Sequence, residues 1–156
     1  MDAYLEIRLL PDPEFTPTTL MNALFSKLHR GLVTHGGRNI GVSFPDVGKN
    51  GRSLGERLRL HGSRADLEKL MAANGLVGMR DHAAVSEITE VPAHAKQRVV
   101  RRVQAKSNPE RQRRRLIARK GITIGQAVQA IPDSTAEKLN LPYVVLTSQS
   151  TGQEFG

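Results

Sequence analysis

An α+β fold is what this sequence predicts, and three observations predict it. Near the N-terminus apolar and polar residues alternate strictly, two later stretches repeat their apolar residues at helical spacing, and a capped, arginine-rich helix follows a linker. In "YLEIRLL" Leu5, Ile7 and Leu9 share one face while Tyr4, Glu6 and Arg8 share the other, the pattern of a half-buried strand. Thr16 followed by Pro17 reads as an N-cap with proline at the first helical position. Leu20, Leu24 and Leu28, with Met21, Phe25 and Leu32, continue that helix until Gly36-Gly37 stops it.

"IGVSF" (Ile40 to Phe44) and "ERLRLHG" (Glu56 to Gly62) read as two further strands joined by a loop rich in Pro, Gly and Asn. Ser63 caps a second helix carrying Leu67, Leu70 and Met71 and ending near Asn74-Gly75, and one more strand is expected between Leu76 and Val91. Strand, helix, strand, strand, helix, strand is the order of a ferredoxin-like, split βαβ domain, expected over residues 1–94. "VPAHAKQ" reads as a linker, and residues 95–156 as a smaller C-terminal α/β domain holding the arginine-rich helix and a C-terminal strand.

Composition narrows the function. The 156 residues contain no cysteine, which excludes a disulfide framework, a thiolate metal site and a cysteine nucleophile. Apolar runs such as "YVVL" are too short to span a bilayer, and the N-terminus has no basic stretch followed by an apolar one, so a soluble cytoplasmic protein is expected. The net charge is +8, but eleven of the 23 Lys and Arg lie between Lys96 and Lys120 against one acid, Glu110, leaving twelve bases and fourteen acids elsewhere. Charge concentrated in one segment is the electrostatic footprint of a nucleic-acid binder. A membrane-surface helix would need a large apolar face, and here that face offers only Leu116 and Ile117. Four Phe and two Tyr in the whole chain make base stacking along a single strand a poor general mechanism, so structured RNA or a duplex backbone fits better.

The basic helix has its own start and stop. Asn108 as N-cap with Pro109 at N1, or Ser107 as N-cap with Glu110 completing a capping box, opens it, and Gly121 ends it after about Lys120. Arg111, Arg115 and Arg119 fall at i, i+4 and i+8 with Arg114 beside them, roughly 6 Å apart along the axis at ~1.5 Å rise per residue. Guanidinium groups so spaced can each take a phosphate in bidentate geometry. Just upstream, Arg102 and Gln104 have the side chains that read guanine and adenine edges in a major groove, although solvent-facing or structural roles fit their spacing equally.

"RVQAKSNPER", "IPDS", "LPYVVLTSQSTGQEF", "YLEIRLLPDPEF" and "GVSFPDVG" followed by "LGERLRLHG" together resemble the CRISPR-associated endoribonucleases of type I-F systems over nearly the whole chain. The resemblance implies a ferredoxin-like domain followed by a smaller domain with an arginine-rich helix. It also implies an activity: binding the stem-loop of a CRISPR repeat RNA and cutting at the 3′ base of the stem, with no metal and no cofactor. By the same resemblance Arg102 and Gln104 match a base-reading pair, Arg115 and Arg119 match arginines inserted in the groove, and Phe155 matches an aromatic that stacks on the terminal base pair. His29 matches the catalytic histidine. Without the resemblance it is one of five, with His35, His61, His82 and His94, at the edge of an apolar helical stripe where boundary residues are common.

The chemistry is consistent with these assignments. A 2′-OH can attack its own phosphate once it is deprotonated and aligned, and histidine is the natural proton acceptor near neutral pH. In "VVLTSQS" a strand sets Ser148 and Ser150 on one face about 7 Å apart, close enough for two hydroxyls to orient one ribose and phosphate rather than attack it. The implied partners are the repeat hairpin, its guide-RNA product and the other subunits of the type I-F surveillance complex, with a monomer expected when free. The chain stops at Gly156, where that family continues, so a C-terminally shortened form is expected, and a non-catalytic RNA-hairpin binder is the alternative function.

Overall fold

In a computed structural model, the described residues are 1–34, 39–48, 53–73, 76–96, 99, 103, 108–136, 139–147, 151–152 and 154–155. The chain divides into two units, Met1–Val100 with Pro142–Gly156, and Arg101–Leu141.

The first unit is built on an antiparallel sheet of β1 (Ala3–Leu9), β2 (Gly41–Ser43), β3 (Arg57–Gly62), β4 (Ala83–Val85) and β5 (Thr89–Glu90), in the order β2-β3-β1-β4 with β5 also paired to β1. The register sets Leu5 opposite Leu60 and Ile7 opposite Leu58, so the alternation read from the sequence becomes one apolar face. Helices α1 (Pro17–Thr34) and α2 (Arg64–Ala72) bury Leu20, Met21, Leu24, Leu28, Leu67 and Leu70 in the same core as those strand residues. Thr16 Oγ1 accepts from Thr19 N at 3.3 Å, and Ser63 Oγ accepts from Asp66 N at 3.1 Å, so both expected caps form. The expected stops at Gly36-Gly37 and Asn74-Gly75 lie outside the described residues.

The opposite sheet face is polar, and Arg57 and Arg59 on it are paired with carboxylates. Tyr4 lies opposite His61, Glu6 opposite Arg59 and Arg8 opposite Arg57. Arg57 forks onto Asp46 at 2.7 and 2.8 Å, while Arg59 reaches Glu6 through Nε at 3.0 Å and lies 4.8 Å from the centre of the Tyr4 ring.

The strand expected between Leu76 and Val91 is two strands. Ile7 pairs with Val85 but Tyr4 pairs with Thr89, a register change of one residue, which is what a β-bulge produces. Ser86 occupies the bulge: its Oγ accepts from Glu6 N at 2.9 Å and its own N–H donates to Glu6 O at 2.8 Å.

The loop from β1 to α1 is organised by Asp12, whose carboxylate accepts from Glu14 N at 2.8 Å, Phe15 N at 2.9 Å and His82 Nδ1 at 2.8 Å. These bonds, led by the two backbone amides, hold the Asp12 carboxyl below its ordinary range.

Two outcomes follow for stability. Leu24 is fully buried, so Leu24→Ala should cost about 2–5 kcal/mol in denaturant unfolding. A carboxyl with a depressed folded-state pKa stabilises fully above its unfolded value of about 3.9, and that contribution is lost as pH falls toward the folded value. Asp12→Asn should therefore flatten the acid limb of stability against pH, read from denaturant midpoints.

Candidate nucleic-acid interface

The second unit contains α3 (Pro109–Lys120), α4 (Ile124–Ala130) and a 3-10 turn at Asp133–Thr135. Asn108 is the N-cap of α3: its Oδ1 accepts from Arg111 N at 3.0 Å, with Pro109 at the first position. Gly121 ends the helix in the left-handed region at φ 62°, donating its N–H to Ile117 O at 2.8 Å. Of the two starts read from the sequence, the Asn108 one forms; Ser107 lies outside the described residues.

Around the α3 axis, Arg111, Arg114, Arg115 and Arg119 are all exposed and fall on one side, while Leu116, Ile117 and Arg113 are half-buried on the other. Among the described residues none of the four exposed arginines pairs with a carboxylate. Arg113 differs. Its Nε donates to Ile131 O at 2.7 Å and a terminal nitrogen donates to Asp133 Oδ1 at 2.6 Å. The buried centre of the unit is Ala127 on α4. Thr123 and Gln126 hold the start of α4 in a capping box, with Thr123 Oγ1 accepting from Gln126 N at 3.3 Å and Gln126 Oε1 accepting from Thr123 N at 3.0 Å.

His29 lies on α1, exposed, its ring stacked at 6.5 Å on Phe25, which in turn contacts Phe44 at 5.9 Å. The other described histidines differ in their bonding. His61 Nε2 lies 2.8 Å from Ser43 Oγ, and burial, then Arg59, lowers its pKa. His82 is held by Asp12, and His94 is exposed.

Two short strands, β6 (Leu146–Thr147) and β7 (Glu154–Phe155), pair antiparallel with Leu146 opposite Phe155. Asn22 Oδ1 on α1 accepts from Val145 N at 3.1 Å, so the chain leading into β6 is tied to the helix that carries His29. Arg102, Gln104, Ser148 and Ser150 lie outside the described residues; Phe155 is placed by its backbone in β7. Among the described residues no three His, Asp or Glu side chains converge to hold a metal ion.

Residues 4–156 match the family described as CRISPR-associated protein (Cas_Csy4). The chain belongs to this family. It is 55% identical over 155 residues to the CRISPR-associated endonuclease Cas6/Csy4 of Pseudomonas aeruginosa (strain UCBPP-PA14), covering 99% of this chain and 83% of that relative. To the CRISPR-associated endonuclease Cas6/Csy4 of Escherichia coli (strain UTI89 / UPEC) it is 46% identical over 155 residues, with the same 99% and 83% coverage.

Within this Cas_Csy4 chain, two residues gain structural roles that the sequence reading did not single out. Arg113 stands in the arginine run, yet its helical angle groups it with Leu116 and Ile117, which is the signal that separates it from its neighbours. Asn22 is one polar residue on a helix whose partner is far along the chain, and no local pattern marks it. Helix α4 was also unread, although Thr123 with Gln126 three residues on is a capping-box signature.

The shared arginine face exists only while α3 is folded. Asn108→Ala and Gly121→Ala should each destabilise the unit by about 1 kcal/mol and lower its helicity by far-UV circular dichroism, the first by losing the cap and the second by forcing a Cβ into the left-handed region.

Proposed function

We propose that this chain is an endoribonuclease that binds the stem-loop of a CRISPR repeat RNA and cuts at the 3′ base of the stem, releasing guide RNAs. The observation that carries the reading is the exposed face of Arg111, Arg114, Arg115 and Arg119, unpaired among the described residues, on a helix capped at both ends, in a chain of the Cas_Csy4 family. Four cations on one side of a rigid rod suit a polyanion with regular phosphate spacing. The major groove of an RNA duplex is ordinarily too deep and narrow to enter, so α3 engages it near the end of a short stem. Arg102 and Gln104 read base edges at the foot of that stem, and Phe155 stacks on its terminal pair.

In the cleavage step His29 accepts the proton of the 2′-OH. The freed oxygen attacks the adjacent phosphorus, the bond to the 5′-oxygen breaks, and that oxygen takes up a proton, leaving a 2′,3′-cyclic phosphate and a 5′-OH. Ser148 and Ser150 orient the ribose and phosphate, and the reaction uses no metal or cofactor. The exposed ring of His29 supports this role, as does Asn22's hold on Val145. Thr147, which precedes Ser148, stands two residues beyond Val145 on the strand laid against α1.

The order β2-β3-β1-β4, with antiparallel neighbours and two helices on one face, supports reading the N-terminal domain, residues 1–94, as ferredoxin-like. Residues 95–156 then read as the RNA-binding part of the chain, with Pro142–Gly156 grouped with the first unit. We further read the protein as a cytoplasmic monomer when free, which keeps its product and joins the other subunits of a type I-F surveillance complex. Among the described residues no helix is long and apolar enough to cross a membrane.

The test is incubation with a labelled repeat hairpin in chelator. Cleavage should persist in the wild type and fall by about 10²–10⁴-fold in His29→Ala with binding kept; tight binding with no cleavage by the wild type would leave a hairpin binder instead. Arg115→Ala should weaken binding and reduce the slope of log affinity against log salt by about one. An unchanged slope would sink the groove-helix assignment.

A further inference from the structure

The five arginines of α3 do not share one job. Four are exposed, whereas the Arg113 side chain is only 13% exposed and its fork is spent on two acceptors, Ile131 O and Asp133 Oδ1. Ile131 is the C-cap of α4, at the end where a helix leaves carbonyls without partners and negative partial charge collects. Asp133 opens the 3-10 turn that follows. One planar guanidinium therefore joins α3 to two consecutive pieces of its support, a geometry that a lysine ammonium cannot reproduce.

We propose that Arg113 is a positioning residue for RNA recognition. It sets the roll of α3 about its own axis so that Arg111, Arg114, Arg115 and Arg119 face the hairpin together, and it touches no RNA itself. The inference rests on the groove-helix reading given above. Its physical basis is that α3 buries no side chain fully, and its half-buried apolar residues are Pro109, Leu116 and Ile117. Successive residues lie about 100° apart around a helix at 3.6 per turn, so a modest roll turns Arg114 or Arg119 away from a shared face. Apolar packing is non-directional and resists such a roll weakly. A forked pair of charge-assisted hydrogen bonds has a required direction and resists it.

Asp133 makes the proposal testable, because its side chain is 88% exposed and its replacement opens no cavity. Asp133→Asn removes a negative charge beside the basic helix, so if summed charge governed affinity, binding would tighten. If Arg113 positions α3, Asp133→Asn weakens cognate-hairpin binding several-fold. Arg113→Gln then weakens it roughly ten-fold, the size of one charge-assisted hydrogen bond, and Arg113→Lys falls between. On a non-cognate RNA duplex the weakening should be smaller than on the cognate hairpin for all three, since a helix that rolls still offers its arginines to phosphates one or two at a time.

Tightened or unchanged cognate binding by Asp133→Asn overturns the proposal. So does a flattened salt slope for Arg113→Gln on both RNAs with Arg113→Lys behaving as wild type, the mark of a phosphate ligand. Far-UV circular dichroism of the full chain checks folding, and if Arg113→Gln loses helicity, Asp133→Asn decides alone. Arg115→Ala is the control for the underlying reading: if it too leaves cognate affinity and salt slope unchanged, α3 is not in the groove and both readings fall.

Discussion

Everything the second unit can do depends on holding a highly charged helix that has almost nothing to bury. Helix α3 carries five arginines and a lysine against Glu110, and none of its side chains is fully buried. Such a helix has little of the apolar burial that ordinarily stabilises helices in proteins, and its like charges at i and i+4 repel. It persists because its ends are closed by Asn108 and Gly121 and because the Arg113 fork converts one charge into attachment. The four remaining arginines are then free to be ligands, and the fork and caps that free them also stiffen them.

The first unit solves a different problem, that of holding distant parts of the chain in fixed register. α1 is anchored by four buried residues on one stripe, so its neighbouring stripe, with Asn22 and His29, is held against a rigid backing. Asn22 uses that rigidity to capture Val145 and with it the strand that leads to Ser148. The cleavage site proposed above draws on distant parts of the chain and needs such fixed crossings, since a displacement of about 1 Å can cost two orders of magnitude in rate.

What was legible in the sequence follows the range of the physics involved. Strand β1 was readable because alternation is a local record of two faces, and the starts of α1, α2 and α3 were readable because a cap is satisfied within three residues. The bulge at Ser86 was not, because a register change exists only between two strands and neither carries it alone. Asn22 was illegible for the same reason. Arg113 was readable in principle from its helical angle, and α4 from Thr123 and Gln126. For the candidate site, charge and spacing alone found the arginine face, but a histidine at a stripe edge has no local mark of catalysis, and His29 was separated from four others only by resemblance.

The pairing of Arg57 and Arg59 has a kinetic meaning. Arg57 and Arg59 are matched by Asp46 and Glu6 across the outer face of the first unit, so their fields largely cancel at a distance. A polyanion approaching from afar feels most strongly the cations that remain unmatched, and the four exposed arginines of α3 are a closely spaced group of these among the described residues. On the proposed reading, diffusional encounters are thereby biased toward α3, and the association rate becomes sensitive to ionic strength.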